Sequence, residues 1–195
     1  MTQISVKQLA VSRGGRTLLK DFSFALEAGE ALHVAGANGS GKTSLLETIC
    51  GLRAPEQGRV LGIESADQFH WIGHRNALSA ALTPTENLRF WCRLNGAGDE
   101  RLESAFDRLQ LRHQRNRPCR ELSIGQRRRA ALARLLVLRR TLWLLDEPLS
   151  GLDAGGVEIF ADMLRSHLAL GGAAVVSSHQ VLPALSGLRR MELGA

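Results

Sequence analysis

Three short runs rich in β-branched and aromatic residues open the chain, at 4–11, 22–26 and 31–35. Turn signals at Gly14-Gly15 and Ala28-Gly29 separate them, so they read as strands. The pattern then changes period: 42–50 reads as a helix, with Gly51 as its stop. Two more strand-like pieces follow Pro55, at 59–63 and 69–72. From Thr85 to about Leu138 the pattern is helical, with helices predicted at 86–91, 100–111 and 124–138, the last capped by Ser123. Leu142-Trp143-Leu144-Leu145 is an apolar run ending in Asp146, the pattern of a parallel strand buried on both faces. A helix from about 155 to 170, a strand at 173–176 and a short tail complete the chain. The layout predicts an α/β core in one domain of 195 residues, with a helical subdomain inserted at about 75–140.

Composition narrows the class. Hydrophobic residues at 44% and charged residues at 23% exclude a disordered or fibrous chain. The cysteines Cys50, Cys92 and Cys119 stand 42 and 27 positions apart, which fits a reducing compartment and neither a disulfide framework nor a zinc ribbon. The start of the chain shows no signal-peptide pattern. Residues 168–188 hold no Lys, Arg, Asp or Glu, and 21 uncharged residues are enough to span a bilayer. Gly171-Gly172, Ser177-Ser178-His179-Gln180 and Pro183 would break such a helix, so a buried strand between turns is expected there. The net charge is +6, and 22 of the 25 basic residues are arginine. Eleven arginines lie between Arg108 and Arg140 against one acid, Glu121. Two readings stay open: a surface for phosphates, anionic headgroups or an acidic partner, or a basic solvent face of a helix. No aromatic residue is interleaved, which argues against stacking on single-stranded bases, and no nucleic-acid partner is expected.

Three motifs carry chemistry. Gly36-Ala37-Asn38-Gly39-Ser40-Gly41-Lys42-Thr43, followed by Ser44, satisfies G-x-x-x-x-G-K-[ST] between a buried strand and a helix. Glycines let backbone N–H groups turn toward phosphates, Lys42 would reach the β and γ phosphates of a bound nucleotide, and the Thr43 hydroxyl would hold Mg²⁺. A dinucleotide fold would need G-x-G-x-x-G and a later acid, and neither is present. Leu144-Leu145-Asp146-Glu147-Pro148 puts two carboxylates after a buried strand, 104 residues beyond Lys42. Asp146 suits Mg²⁺ through water, and Glu147 suits a general base for an attacking water.

Leu122-Ser123-Ile124-Gly125-Gln126 is the third motif. With the other two it resembles the signature of ATP-binding subunits of ABC transporters, usually L-S-G-G-Q, with Ile124 a departure at the third position. The resemblance runs from about Ile4 to Leu188 with its motifs in family order. It implies a P-loop NTPase fold of the ABC type with an antiparallel β subdomain. It further implies that Ser123, Gly125 and Gln126 face ATP bound to a second copy, hence a homodimer. Ser150-Gly151-Leu152-Asp153 is similar to the family's D-loop, and His179 to its switch histidine, which senses the γ-phosphate. The implied partners are integral membrane subunits, and the implied location is peripheral, on the cytoplasmic face of the cell inner membrane.

Two departures sharpen the resemblance. Where the family usually has glutamine after the strand at 69–72, this chain has His74, whose imidazole can donate or accept much as an amide does. Where the family stacks adenine on an aromatic ring in the first hairpin, this chain has no tyrosine and offers Arg13 or Arg16. The segment from Trp71-Ile72-Gly73-His74 through Thr83-Pro84-Thr85-Glu86-Asn87 to Trp91 is similar to the ATP-binding subunit of the haem exporter of cytochrome c maturation. An ABC transporter for another substrate is the first alternative. A soluble ABC-type ATPase is less favoured, because only 81 residues separate Lys42 from Ser123.

Overall fold

A computed structural model describes residues 2–194. The chain forms two compact units, one of Met1–Gly73, Arg140–Glu147 and Ala161–Ala195, the other of His74–Arg139 and Pro148–Phe160.

The first unit carries two sheets. Strands β1 (Thr2–Arg13), β2 (Arg16–Glu27) and β4 (Gln57–Leu61) form an antiparallel sheet in the order β2-β1-β4. The β1–β2 turn is Gly14-Gly15, with φ of 59° and 76°, and Arg13 pairs Arg16 across it. Two positive φ angles in succession match the right-handed twist of a tight hairpin, and glycine takes them without a Cβ clash.

The second sheet is parallel, in the order β5-β6-β7-β3-β8. It comprises β3 (Ala31–Ala35), β5 (Phe69–Ile72), β6 (Leu142–Asp146), β7 (Ala173–Ser177) and β8 (Leu188–Glu192). Every residue of β3, β6 and β7 is buried, as the continuous apolar runs predict. Leu32, Val34, Leu142, Leu144 and Val175 turn one face of this sheet toward Leu45, Leu46 and Ile49 of helix α1 (Lys42–Ile49) and toward Ile4, Val6 and Leu26 of the antiparallel sheet. On the opposite face Trp143 stacks flat on His167 of α6 (Ala154–Ala169), with ring centroids 3.9 Å apart. The uncharged stretch at 168–188 holds β7 and turns, and no helix among the described residues is long and apolar enough to cross a membrane.

The second unit is helical: α2 (Pro84–Leu94), α3 (Leu102–Arg108), a 3-10 turn (Cys119–Glu121), α4 (Ile124–Leu132) and α5 (Arg134–Val137). Leu88, Phe106, Leu109, Leu111 and Ala131 fill its interior. Two of the arginines between 108 and 140 are also inside. Arg128 donates to the Pro148 carbonyl at 3.1 Å and to Asn76 Oδ1 at 3.0 Å. Arg134 donates to the Ala131 and Asn76 carbonyls at 3.1 and 2.7 Å, and its guanidinium lies 5.3 Å from the Trp91 ring. Burial, with Arg128 nearby, brings the pKa of Arg134 down to about 10. Others pair with acids outside the 108–140 window: Arg112 with Asp107 and Arg115 with Glu103. The cluster is therefore partly internal scaffold and partly surface ion pairs.

Several strands and helices run past their expected ends, β2 and α2 among them, and three further differences stand out. The helix expected over 124–138 divides at Ala133 into α4 and α5. The helix expected over 100–111 shortens to Leu102–Arg108, and Gln110 takes a φ of 54°. The tail contains β8, which pairs in parallel with β3 from Leu188 to Glu192. Its Arg189-Arg190 centre is exposed, so the strand is held by backbone hydrogen bonds at a sheet edge and has no apolar run to announce it.

Candidate functional site

The C-terminal ends of β3, β7 and β6 lie side by side, because β7 pairs with both β3 and β6. The loop Gly36 to Gly41 leaves β3, Asp146 ends β6 and Glu147 follows it, and Ser178 and His179 follow β7. Sheet order therefore brings together side chains as much as 143 residues apart in sequence, Gly36 to His179.

The loop has the shape of an anion cradle. Gly36 has φ of 147°, and a Cβ there would sit 2.7 Å from Ser40 Oγ and 3.1 Å from the Leu193 carbonyl. Gly39 and Gly41 take φ of 84° and 100°. Gly41 is the N-cap of α1 and provides no side chain to bond the first-turn amides, which leaves that positive helix end available to a phosphate. Ser40 Oγ is buried with no hydrogen-bond partner among the described residues, a polar atom in want of one. Ala37, Asn38 and Gly39 are exposed at the loop tip, while Lys42 and Ser44 are buried. Lys42 Nζ donates to the Gly36 and Ala37 carbonyls at 2.7 and 3.0 Å and lies 3.6 Å from Glu147 Oε1.

The two carboxylates have distinct settings. Asp146 is fully buried; its Oδ2 accepts from the Thr43 hydroxyl at 2.9 Å and its Oδ1 from the Ser177 hydroxyl at 2.6 Å. A hydroxyl and a carboxylate oxygen so close are hard donors whose chemistry fits Mg²⁺. Among the described residues no group of three or more His, Cys, Asp or Glu could hold a metal by itself. Glu147 has φ of 50°, a left-handed backbone that is unfavourable for a residue with a side chain. Its N–H donates to the Ser177 carbonyl and hydroxyl at 3.0 and 3.1 Å, which holds that conformation. Its carboxylate accepts from the His179 N–H at 3.2 and 3.3 Å and lies 2.9 Å from His179 Nδ1. Lys42, Thr43, Asp146, Glu147 and His179 thus form one constellation, with His179 half exposed. Sequence reading missed Ser177, which touches Asp146 and Glu147 together; its only signal is a polar residue ending an apolar strand.

His74, Ser123, Gly125 and Gln126 belong to the helical unit. His74 is exposed, two residues before the Asn76 that the buried arginines grip. Ser123 caps α4: its hydroxyl accepts from the Gln126 N–H at 3.2 Å, and its N–H donates to Gln126 Oε1 at 2.9 Å. Gln126 therefore serves the cap in this structure. Gly125 has no room for a Cβ, which would lie 2.8 Å from the Gly151 carbonyl. Asp153 Oδ1 accepts from the Gly156 N–H at 2.8 Å near the start of α6.

A phosphate loop on a parallel sheet, a strand-end Asp-Glu pair and a capped Ser-x-Gly-Gln helix start together define an ATPase of the ABC class. The family model described as ABC transporter matches residues 19–150, and the chain belongs to that family. The chain is 47% identical over 180 residues to the Cytochrome c biogenesis ATP-binding export protein CcmA of Paracoccus denitrificans, covering 92% of this chain and 83% of that one. It is 43% identical over 198 residues to the protein of the same name from Rhodopseudomonas palustris, covering 98% of both. A solved Pyrococcus furiosus chain described as an ABC transporter ATP-binding protein superposes with a TM-score of 0.86 at 21% identity, over 97% of this chain and 96% of that one; this likeness concerns the fold.

Proposed function

We propose that this chain is the ATP-hydrolysing subunit of an export complex in c-type cytochrome biogenesis, with haem as its cargo. In this reading it works as a homodimer on the cytoplasmic face of the inner membrane, bound to separate integral membrane subunits. The names of its relatives support the biogenesis and export role. The cargo rests on the resemblance carried by the segment from Trp71 to Trp91.

The observation that carries the chemistry is the convergence of Lys42, Thr43, Asp146, Glu147 and His179 at three adjacent strand ends. The amides of the loop and of the first turn of α1 receive the β and γ phosphates of ATP. Lys42 exchanges its carbonyl partners, Gly36 and Ala37, for phosphate oxygens. Thr43 and Asp146 would hold Mg²⁺, which when bound would neutralise charge on the phosphate oxygens. Glu147 accepts a proton from the water that attacks the γ-phosphorus. The bond from that phosphorus to the bridging oxygen breaks, and ADP leaves with the electron pair. His179 fixes the Glu147 carboxylate through two N–H groups and presents its exposed ring edge toward the γ-phosphate. Ser123 and Gly125 of a second copy close over the same nucleotide, and His74 links the site to the membrane partner.

The test is Glu147→Gln. It should retain ATP affinity and lose turnover by about a hundredfold or more, the usual scale of a general base. Near-wild-type hydrolysis by this variant would remove the base assignment. Lys42→Ala should instead weaken nucleotide binding itself, measured by titration with a fluorescent ATP analogue.

A further inference from the structure

We propose that His33 is a positioning residue for the carboxylate of Glu147, acting through the single peptide group that joins Ser178 to His179. The proposal rests on the reading of Glu147 as the general base.

His33 stands in the middle of β3, the strand that delivers the phosphate loop, and only 3% of it is exposed. Its neighbours Leu32 and Val34 face the main core, so alternation sends its imidazole to the opposite face of the sheet. On β7 its register partner is Val176, and two residues further on, in the same row, comes Ser178. His33 Nε2 lies 3.2 Å from the Ser178 carbonyl oxygen. Burial lowers the pKa of this ring; the bond to Ser178 opposes the shift, Arg190 adds to it, and Glu147 and Glu192 oppose it. The ring is therefore neutral at neutral pH and has one N–H, which the carbonyl partner assigns to Nε2.

The other end of that same peptide group is the His179 N–H, which donates to both oxygens of Glu147 at 3.2 and 3.3 Å. One peptide plane is thus clamped between a buried imidazole and the carboxylate. Donation into its C=O polarises the amide and strengthens its N–H as a donor to Glu147. The Ser178 N–H is tied separately, to the Val34 carbonyl at 3.2 Å, so the plane has little freedom to turn once His33 holds its oxygen. A leucine at 33 would fill the space and leave the Ser178 carbonyl buried without this donor.

The experiment compares His33→Leu, His33→Gln and His33→Asn in the purified full-length protein, scoring kcat and KM for ATP, binding of a fluorescent ATP analogue and thermal midpoint. The amide nitrogen of glutamine reaches about as far as Nε2, and that of asparagine only as far as Nδ1. Expected for His33→Leu is a fall in kcat of about five- to tenfold, the scale of one buried hydrogen bond, with KM and nucleotide affinity unchanged. His33→Gln should return kcat to within about twofold of wild type, and His33→Asn should not. Wild-type kcat in His33→Leu, or equal losses in His33→Gln and His33→Asn, overturns the proposal. If His33→Leu does not fold, the glutamine–asparagine comparison decides alone. Glu147→Gln separates the two readings. Turnover retained in that variant removes the base assignment whatever His33 does. Turnover lost there, with every His33 variant at wild-type kcat, removes the positioning role only.

Discussion

His167 shows what burial does to a single side chain. Its ring is stacked on Trp143, its Nε2 lies 3.1 Å from the Ala173 carbonyl, and burial lowers its pKa despite that bond and one to Thr141. His33 is shifted the same way, also chiefly by burial. A histidine whose folded pKa lies below its unfolded value binds fewer protons in the native state. Its contribution to stability is complete above the unfolded value, near 6.5, and is lost as pH falls from there through the folded value. The urea midpoint should therefore drop between pH 7.5 and pH 5.5, and drop less in His167→Phe, which keeps a ring against Trp143 and cannot titrate. An equal drop in both proteins would mean that His167 takes up its proton in place. At this scale the candidate site was largely legible: motif spacing singles out Lys42, Thr43, Asp146 and Glu147, the resemblance adds His179, and the structure brings all five together. Ser177 and His33 were not legible, because a serine ending a strand and a histidine inside one carry no local signature; their partners come from a neighbouring strand.

Among the elements, α2 depends on its N-terminus. Thr83 accepts from the Glu86 N–H at 3.2 Å, the Glu86 carboxylate accepts from the Thr83 N–H at 2.8 Å, and Pro84 starts the helix with φ already suited to it. Thr83→Ala should cost about 1 kcal/mol in denaturant unfolding, while Thr83→Ser should restore most of it. No loss in the alanine variant would show that packing alone holds α2. Element type followed hydrophobic period closely, because strands buried on both faces and amphipathic helices differ in pattern. Boundaries followed it less well. Arg134, which follows Ala133 at the start of α5, donates to the Asn76 carbonyl, a partner 58 positions away that a helical pattern cannot reveal. The exposed arginines of β8 conceal a strand that pairs through its backbone.

For the molecule as a whole, the proposed homodimer would have the phosphate loop and the Ser123 segment each supply one half of an ATP site. In the proposed homodimer, ATP joins them across two copies, and hydrolysis separates them. Glu147→Gln should therefore double its mass in light scattering when ATP is added and remain monomeric with ADP. Adding Ser123→Arg should abolish that doubling while leaving ATP affinity within about threefold, since Ser123 would touch the nucleotide of the other copy. A Glu147→Gln protein that stays monomeric at millimolar ATP would count against the homodimer.

The class of this protein is readable from its motifs. The phosphate loop, the strand-end Asp-Glu pair and the Ser123 segment are local patterns, each recognisable from residues only a few positions apart. How that chemistry is held follows from the pairing of the strands. The order β6-β7-β3 sets Ser177 against Asp146, His179 against Glu147 and His33 behind the peptide between them. These contacts join residues 31 to 145 positions apart. Parallel pairing of strands distant in sequence creates them, and no periodicity along one chain encodes which strands become neighbours.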